Sequence, residues 1–358
     1  MQKTLKHLLK KRLNYIIDKQ QCLRKDSLLY GGFLVYDVKE NEPVYDFKVT
    51  NHNASRERIG MGLLLVKYLQ HHKNEKFSNA LNLYIDFVLR CVFDSETGVV
   101  YDGVKSAEFV RLYNAPWVSM LFTEMYCLTQ KTEYLEYVVK ILEYYYSIGG
   151  AKFYPNGLSM RKTLLALKQA GMTEQYERVK ELFTVHTDNI VRNGTAFPKH
   201  EVNYEQTIVS PAAVFTAEMA LVTNSDTYKN AASVYAEILE RFACRQPSFH
   251  LNEIPIRYWD DFWFGKSRLF GDTFPHYWSC LNARAFYDYY KCSGDEHYKA
   301  AAEMCNRNCL CLFNNKGEGS AAYVYPLKLN QTRGQFYDEW ANDQDFALYF
   351  FLEAQYDN

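Results

Sequence analysis

The hydrophobic pattern of this chain repeats one unit, an amphipathic helix that begins at a short turn carrying an acidic and an aromatic residue. These turns are Glu75-Lys76-Phe77, Thr132-Glu133-Tyr134, Glu174-Gln175-Tyr176, Asp226-Thr227-Tyr228 and Glu296-His297-Tyr298. An acidic side chain stabilises a helix N-terminus, where free N–H groups and the helix dipole favour negative charge. We expect the aromatic residue to pack each new helix against its predecessor. A unit that recurs in this way predicts a closed or stacked array of helix pairs.

Periodicity predicts twelve helical segments whose connections alternate between short and long. The segments are 3–24, 55–71, 76–93, 112–130, 132–148, 157–170, 173–192, 205–223, 226–244, 274–292, 295–312 and 339–355. The repeat turns are short, whereas the long loops are 25–54, 94–111, 149–156, 193–204, 245–273 and 313–338. Strict alternation puts every long loop at one end of an up-down array, and we call that end the rim.

The helix count and the loop alternation predict one all-α domain, residues 1–358. We expect an (α/α)6 toroid of six helical hairpins, with short β-hairpins in the long rim loops. Its inner helices would start at the rim, so that their N-termini point into a central cavity. The alternative is an open α-solenoid that binds protein, which would have uniformly short loops on both faces.

The composition narrows the classes of partner. The chain of 358 residues has a formal net charge of −1, so we expect no nucleic-acid and no membrane partner. It contains no apolar run of about 18 residues, and its N-terminal segment lacks the features of a signal peptide. We therefore expect a cytoplasmic protein.

The nine cysteines contain no CxxC pair. They are best interpreted as small buried residues in a reducing compartment. A soft metal site at Cys305, Cys309 and Cys311 is the alternative. We expect neither a metal nor a cofactor.

Candidate site residues concentrate in the predicted rim loops and at the helix starts that follow them. They are Arg58; His200, Glu201, Asn203 and Tyr204; Arg257, Trp259, Asp260 and Lys266; Asp272, His276, Tyr277 and Trp278; and Trp340 and Asp343. Aromatic faces can cover the C–H faces of pyranose rings, while polar groups bind hydroxyls or a uronate carboxylate. The basic residues Arg257, Lys266 and Arg268 favour an anionic oligosaccharide.

Several of these residues have a purely structural alternative. Asp272 or Thr273 is expected to cap the tenth helix, with Pro275 in its first turn. Asp343 and Asp345 would complement a helix dipole, and Arg58 would pair with a neighbouring side chain. Calcium bound by the acidic segment 338–345 is a further possibility.

Four motifs carry a family resemblance. They are His200-Glu201-Val202-Asn203-Tyr204-Glu205, Arg257-Tyr258-Trp259-Asp260, Gly271-Asp272-Thr273-Phe274-Pro275-His276-Tyr277-Trp278 and Trp340-Ala341-Asn342-Asp343-Gln344-Asp345. The chain resembles, over essentially its whole length, the six-hairpin glycosidase-like superfamily of α/α toroids. This superfamily contains inverting glycoside hydrolases, unsaturated glucuronyl hydrolases and many bacterial polysaccharide lyases. Within the superfamily, the four motifs resemble the toroidal domains of lyases that act on rhamnose-capped glucuronate in plant gums.

Related enzymes often carry an additional β-sandwich domain, for which this chain has no room. The sequence therefore leaves open whether the chain is part of a larger multidomain enzyme.

Three functions stay open, and the first is favoured because His/Tyr pairs occur at two separate helix entries. A lyase would cleave by β-elimination at a uronic acid in a plant- or host-derived oligosaccharide. Its catalytic acid and base would come from His200, Tyr204, His276 and Tyr277, with Arg257 and Asn203 stabilising the enolate-like carboxylate. Trp259, Asp260, Lys266, Trp278, Arg58, Trp340 and Asp343 would bind substrate.

An inverting glycoside hydrolase is the alternative. It needs two carboxyl groups about 6.5–9.5 Å apart, for which Glu201 and Asp272 are among the candidates. The second alternative is a non-catalytic glycan-binding toroid.

Overall fold

The computed structural model describes residues 2–45, 56–105, 111–199, 206–242, 272–276, 278–320, 322–325, 328–329, 332–333, 336–337, 340–341 and 344–356. Within these ranges, side chains are described except at 2–4, 56–58, 272–276 and 322–341.

Six helices form a closed inner ring. They are α2 (Arg56–His71), α4 (Asn114–Thr129), α6 (Met160–Gln169), α8 (Gln206–Thr223), α10 (Ser279–Ser293) and α12 (Asp345–Tyr356). Each packs against the next, and α12 packs back against α2. The first fifteen residues of α8 are all buried, as expected of a helix surrounded by other helices. Because the ring closes, the toroid prediction is confirmed and the open solenoid is excluded.

The other six helices lie outside this ring. They are α1 (Gln2–Tyr15), α3 (Glu75–Phe87), α5 (Glu133–Ser147), α7 (Thr173–Asn193), α9 (Asp226–Glu240) and α11 (Glu296–Cys309). Each from α3 onward packs on the inner helix that precedes it in the chain. The N-cap is the residue before the predicted acidic one: the side chains of Asn74, Ser225 and Asp295 accept hydrogen bonds from the first turns of α3, α9 and α11. The aromatic residues of those turns are buried, as predicted.

An ion pair joins the first helix to the last. Arg12 donates to both carboxylate oxygens of Asp345, at 2.7 and 2.8 Å, and both side chains are fully buried. The same guanidinium donates to Gln20 Oε1 at 2.6 Å and to the Gly317 carbonyl at 3.0 Å. A Cβ atom at Gly317 would lie 2.5 Å from the Lys11 carbonyl oxygen, so the loop approaches α1 closely only because this residue is glycine. The pair fixes α1 against the start of α12.

Small sheets join the long loops at the rim, in agreement with the predicted β-hairpins. One has the order β2 (Glu42–Pro43), β1 (Tyr36–Asp37), β8 (Trp340–Ala341); a second has β3 (Asp272–His276), β4 (Ala322–Tyr325), β7 (Phe336–Tyr337); a third pairs β5 (Lys328–Leu329) with β6 (Thr332–Arg333). All pairings are antiparallel. The segment 322–341 therefore pairs with the loop that follows α1 and with the loop that precedes α10.

Two predicted helix starts are wrong. Residues Asp272–His276 form strand β3, and α10 begins only at Ser279, so neither Asp272 nor Thr273 caps that helix. Pro275 is compatible with this strand because β3 is the outer strand of its sheet, where a missing N–H is tolerated. Likewise α12 begins at Asp345 rather than at residue 339. Both oxygens of Asp345 are bound by Arg12, so its carboxylate is committed to that ion pair.

The described helices include none that is long and apolar enough to cross a membrane. Cys305 and Cys309 are buried in the core, in agreement with their interpretation as small apolar residues. Within the described ranges, no group of three or more His, Cys, Asp or Glu side chains is placed to hold a metal ion.

Candidate functional site

The rim end of the inner ring collects the N-termini of all six inner helices, since each of them follows a long loop. A helix N-terminus carries free N–H groups and about half a positive charge. Parallel helices that start at one end therefore give that end a positive potential. It is the end to which the sequence pattern assigns the candidate site residues.

Five amide side chains lie in or near the first turns of these helices and have polar atoms without a hydrogen-bond partner among the described residues. They are Asn114, Asn156, Gln206, Asn282 and Gln344, which we call the amide set. Asn156 is 7% exposed and the other four are fully buried. An unpaired buried polar atom costs about 1–3 kcal/mol and is uncommon in a native structure. Five near the rim ends of five inner helices indicate a polar surface that is completed by water or by a ligand.

The orientation of Asn114 is fixed by its neighbours. Its Nδ2 donates to Asp102 Oδ1 at 2.7 Å, and Arg111 Nη1 lies 3.7 Å from the same oxygen. All three residues are buried. The atom of Asn114 left unpaired is therefore Oδ1, an acceptor.

Gln344 is held in a similar way, since its Nε2 donates to Asp345 Oδ2 at 2.7 Å and its Oε1 is unpaired. Gln206 and Asn282 differ, because both polar atoms of each amide are unpaired. They lie on the adjacent helices α8 and α10, which are joined by a hydrogen bond from Ser210 to the Leu281 carbonyl at 2.9 Å. A group that both donates and accepts, such as a sugar hydroxyl, would satisfy them.

The loop that carries Asn156 is held from two sides. Arg284, on α10, donates to the carbonyls of Asn156 (3.2 Å) and Leu158 (2.7 Å). On the outer side, His186 Nε2 donates to the Phe153 carbonyl at 2.7 Å, which leaves Nδ1 to accept from the Tyr146 hydroxyl at 3.0 Å. Burial lowers the pKa of His186 to about 4, so the imidazole is neutral. The backbone beneath the rim is thus rigidly positioned.

Farther along the inner helices, all six contribute to one cluster of charged side chains around the axis of the toroid. This axial ion network consists of Lys67, Glu124, Lys162, Glu218, Arg284, Asp288, Lys291 and Glu353. Lys162 bridges Glu124 (2.5 Å) and Glu353, and Arg284 pairs with Glu218 at 3.1 Å. Its four cations balance its four carboxylates.

The pKa shifts of these carboxylates differ because burial and the neighbouring cations act in opposite directions. Burial alone would raise the pKa of Glu353, but the Lys162, Arg284 and Lys67 charges outweigh burial and lower it to about 2. Glu124 is lowered for the same reason, against its own burial. At Glu218 burial prevails over Arg284, with help from Asp288, and the pKa is raised. The Glu218 carboxylate nevertheless accepts from the Arg161 N–H and from Arg284, so it is held in place.

Most of the site residues predicted from the sequence lie outside the described residues. Those outside are His200, Glu201, Asn203, Tyr204, Arg257, Trp259, Asp260, Lys266, Tyr277 and Asp343. The backbones of Asp272 and His276 lie on β3, that of Trp340 on β8 and that of Arg58 in the first turn of α2. Trp278 is 7% exposed, belongs to the hydrophobic core and precedes α10. The roles of all these residues stay predictions.

Sequence reasoning missed the amide set and the pair Asp102–Arg111. A signal was present, because an Asn or Gln occurs within four residues of the start of five inner helices. The signal is weak in a single sequence, since Asn is equally common in turns and caps.

Several solved structures with the same architecture are carbohydrate-processing enzymes. A polysaccharide lyase matches 99% of this chain with 38% identity and a TM-score of 0.93. A sugar epimerase from a ruminal bacterium matches 99% of the chain and 98% of its own (16% identity, TM-score 0.58). An unsaturated glucuronyl hydrolase from Streptococcus agalactiae matches 99% of this chain and 89% of its own, with 12% identity and a TM-score of 0.60.

The chain is a six-hairpin (α/α)6 toroid. It spans about half the length of the polysaccharide lyase, 53% of that chain. The epimerase and the hydrolase are too distant in sequence to show more than the fold. No family model matches the toroid, and no curated protein is similar enough to match it.

Proposed function

We propose that the toroid is a carbohydrate-active enzyme that cleaves an oligosaccharide at a uronic acid by β-elimination. The observation that carries this proposal is the 38% identity to a polysaccharide lyase across 99% of the chain. The match covers about half of that lyase, so its activity is extended to this chain as a proposal. The amide set and the six helix N-termini at the rim support an anionic, hydroxyl-rich substrate.

In the proposed reaction a base removes the proton at C5 of the uronate, and the electron pair enters the C4=C5 bond as the C4–O bond breaks. An acid protonates the departing sugar oxygen. Tyr204 and His200, with His276 and Tyr277, are the proposed base and acid. Arg257 and Asn203 would stabilise the carboxylate as it becomes enolate-like, because donors aimed at developing charge lower the barrier most.

The amide set adds a role for described residues. The N–H groups of Gln206 and Asn282 are unpaired, so they are available to donate to a uronate oxygen without breaking any existing hydrogen bond. The unpaired Oδ1 of Asn114 and Oε1 of Gln344 are acceptors for sugar hydroxyls. We propose that the amide set positions the substrate beneath the catalytic residues.

The test is incubation with a panel of uronate oligosaccharides, followed by mass spectrometry and ultraviolet absorbance of the products. Elimination leaves the combined product mass equal to that of the substrate and creates a conjugated C4=C5 chromophore. Hydrolysis adds one water and creates no chromophore, and this outcome would establish the inverting hydrolase instead. Saturable binding without turnover would establish a glycan-binding toroid.

Single substitutions test the proposed roles of Tyr204 in catalysis and of Asn282 in substrate binding. Tyr204→Phe should lower turnover by about 10²–10⁴, the range for a lost acid or base, whereas Tyr176→Phe on the outer helix α7 should not change it. Asn282→Leu removes an amide that is unpaired in the free protein, so turnover should fall while the free energy of unfolding stays the same or rises. A parallel loss of stability and turnover in Asn282→Leu would contradict a role in substrate binding.

A further inference from the structure

A cavity of about 600 Å³ lies at the end of the toroid opposite the rim, between the outer helices α1 and α11 and the inner helix α12. We call it the α1–α11 cavity. The C-terminal half of α1 is fixed to the start of α12 through Arg12 and Asp345. Leu5 and Leu9, nearer the N-terminus of α1, instead line the cavity. The volume is within the range of about 300–1,000 Å³ that is usual for small-molecule sites.

The floor of the cavity contains a buried acceptor. Asn306, on α11, is 5% exposed, and its Oδ1 has no hydrogen-bond partner among the described residues. The small side chains of Ala302 and Ala354 lie beside it in the lining and leave the space open. Because an unpaired buried carbonyl costs about 1–3 kcal/mol, a bound N–H or O–H donor would gain from meeting it.

Aromatic rings form much of the wall. Tyr68, Tyr287 and Tyr356 all line the cavity. Tyr356 is 41% exposed, and its ring stacks on His71 with centroids 3.9 Å apart. Rings of this kind offer flat apolar faces together with a polar hydroxyl, the combination that suits a pyranose ring.

Cationic side chains outnumber carboxylates in the lining of the cavity. Lys6 and Arg307 are exposed there and have no ion-pair partner among the described residues. Lys299 also lines the cavity, 3.3 Å from Glu296. The lining includes one carboxylate, that of Glu303, against these three cations. The excess of positive charge favours an anionic ligand.

We propose that the α1–α11 cavity is a second binding site, separate from the rim, that takes a small anionic saccharide of one or two pyranose rings bearing a carboxylate. Arg307 and Lys6 bind the carboxylate, the tyrosines cover the ring, and Asn306 Oδ1 accepts from a hydroxyl. This inference goes beyond the proposed function and does not depend on turnover at the rim.

Isothermal titration calorimetry with sodium glucuronate, and with methyl β-glucoside as the neutral probe, tests the proposal. The wild-type protein should bind glucuronate more tightly than the glucoside. Arg307→Ala should weaken glucuronate binding about tenfold or more, the loss expected for one charge-assisted hydrogen bond, and should affect the glucoside little. Arg192→Ala, an exposed arginine on the outer helix α7, is the matched control and should bind as the wild type does.

Asn306→Leu separates binding from folding. It removes an unpaired acceptor at nearly constant volume, so the midpoint of urea unfolding should stay the same or rise while binding of both sugars is lost. Saturable binding that is unchanged in both Arg307→Ala and Asn306→Leu would place the ligand elsewhere and overturn the proposal, as would no binding by the wild type.

Turnover of uronate oligosaccharides, measured on the same variants, keeps this result separate from the proposed function. Both cavity variants should retain wild-type turnover. A protein that turns over no uronate substrate but binds glucuronate in an Arg307-dependent way would refute the proposed function and support the second site. Turnover of a uronate substrate without Arg307-dependent binding of glucuronate would support the proposed function and refute the second site.

Discussion

The ion pair that joins α1 to α12 should be a major determinant of stability, and Asp345→Asn tests this. The substitution keeps the shape of the side chain but leaves the fully buried Arg12 guanidinium without a countercharge. Removing one partner of a buried ion pair costs about 3–5 kcal/mol, because the remaining charge stays desolvated. Since a folded protein is stable by only about 5–15 kcal/mol, we expect a large decrease in the midpoint of urea unfolding.

The matched control is an exposed ion pair that also joins two elements far apart in the chain. Lys76 on α3 lies 2.7 Å from Asp18, with the two side chains 48% and 54% exposed. Solvent screens such a pair, so Lys76→Ala should change the free energy of unfolding by less than about 1 kcal/mol. The comparison isolates burial, because both pairs have the same N–O distance of 2.7 Å.

A double variant distinguishes a buried charge from lost packing. Arg12→Met combined with Asp345→Leu removes both charges at similar volume and should recover much of the stability lost in Asp345→Asn. Circular dichroism at a helical wavelength during urea titration measures all four proteins. If Asp345→Asn loses no more stability than Lys76→Ala, the inference that this pair fixes α1 to the ring is wrong.

Three further outcomes follow from the buried groups. His186 has a folded pKa of about 4 against about 6.5 when unfolded, so stability should be complete above about pH 6.5 and fall as the pH drops toward 4; urea midpoints for His186→Gln should lack that slope. Glu353 has a folded pKa of about 2 against about 4.3 unfolded, so its contribution, present above about pH 4.3, should be lost toward pH 2. Lys162→Met should reduce this acid dependence of the urea midpoint, because Lys162 is the first of three cations that lower the pKa. Gly157→Ala would place a Cβ atom 2.2 Å from the Trp117 ring and should lower the free energy of unfolding by about 1–3 kcal/mol. An unchanged thermal midpoint would contradict this prediction.

The toroid could be predicted from the sequence because its evidence is local and repeated. Each acid–aromatic turn marks a helix entry, and the alternation of loop lengths fixes which helix ends lie together. The helix starts at the rim could not be placed from the local sequence alone. Asp272 and Pro275 are as compatible with the outer strand of a sheet as with the first turn of a helix. Only the pairing of β3 with β4, fifty residues later in the chain, decides between them.

The interactions that hold the ring together were not predictable from local patterns. Arg12 and Asp345 are 333 positions apart, and each by itself suits an exposed position. Likewise, the charged residues of the axial ion network come from six helices, and any one of them, such as Lys162, would ordinarily be assigned to a solvated face. Their burial depends on the closure of the ring, which no single helix encodes.

The direction of the inner helices gives the rim a dipole contribution that favours anions, whereas an anion at the opposite end would depend on cationic side chains such as Lys6 and Arg307. All six begin at the rim, so their dipoles add, and each contributes about half a positive charge there. At the opposite end the dipoles are negative, and Lys67 and Lys291, near the C-termini of α2 and α10, offset them. Both lysines belong to the axial ion network, whose four cations and four carboxylates sum to zero, so its effect on the two ends depends on where these charges lie along the axis. The six helix N-termini therefore contribute a positive potential at the rim of a chain whose formal net charge is −1.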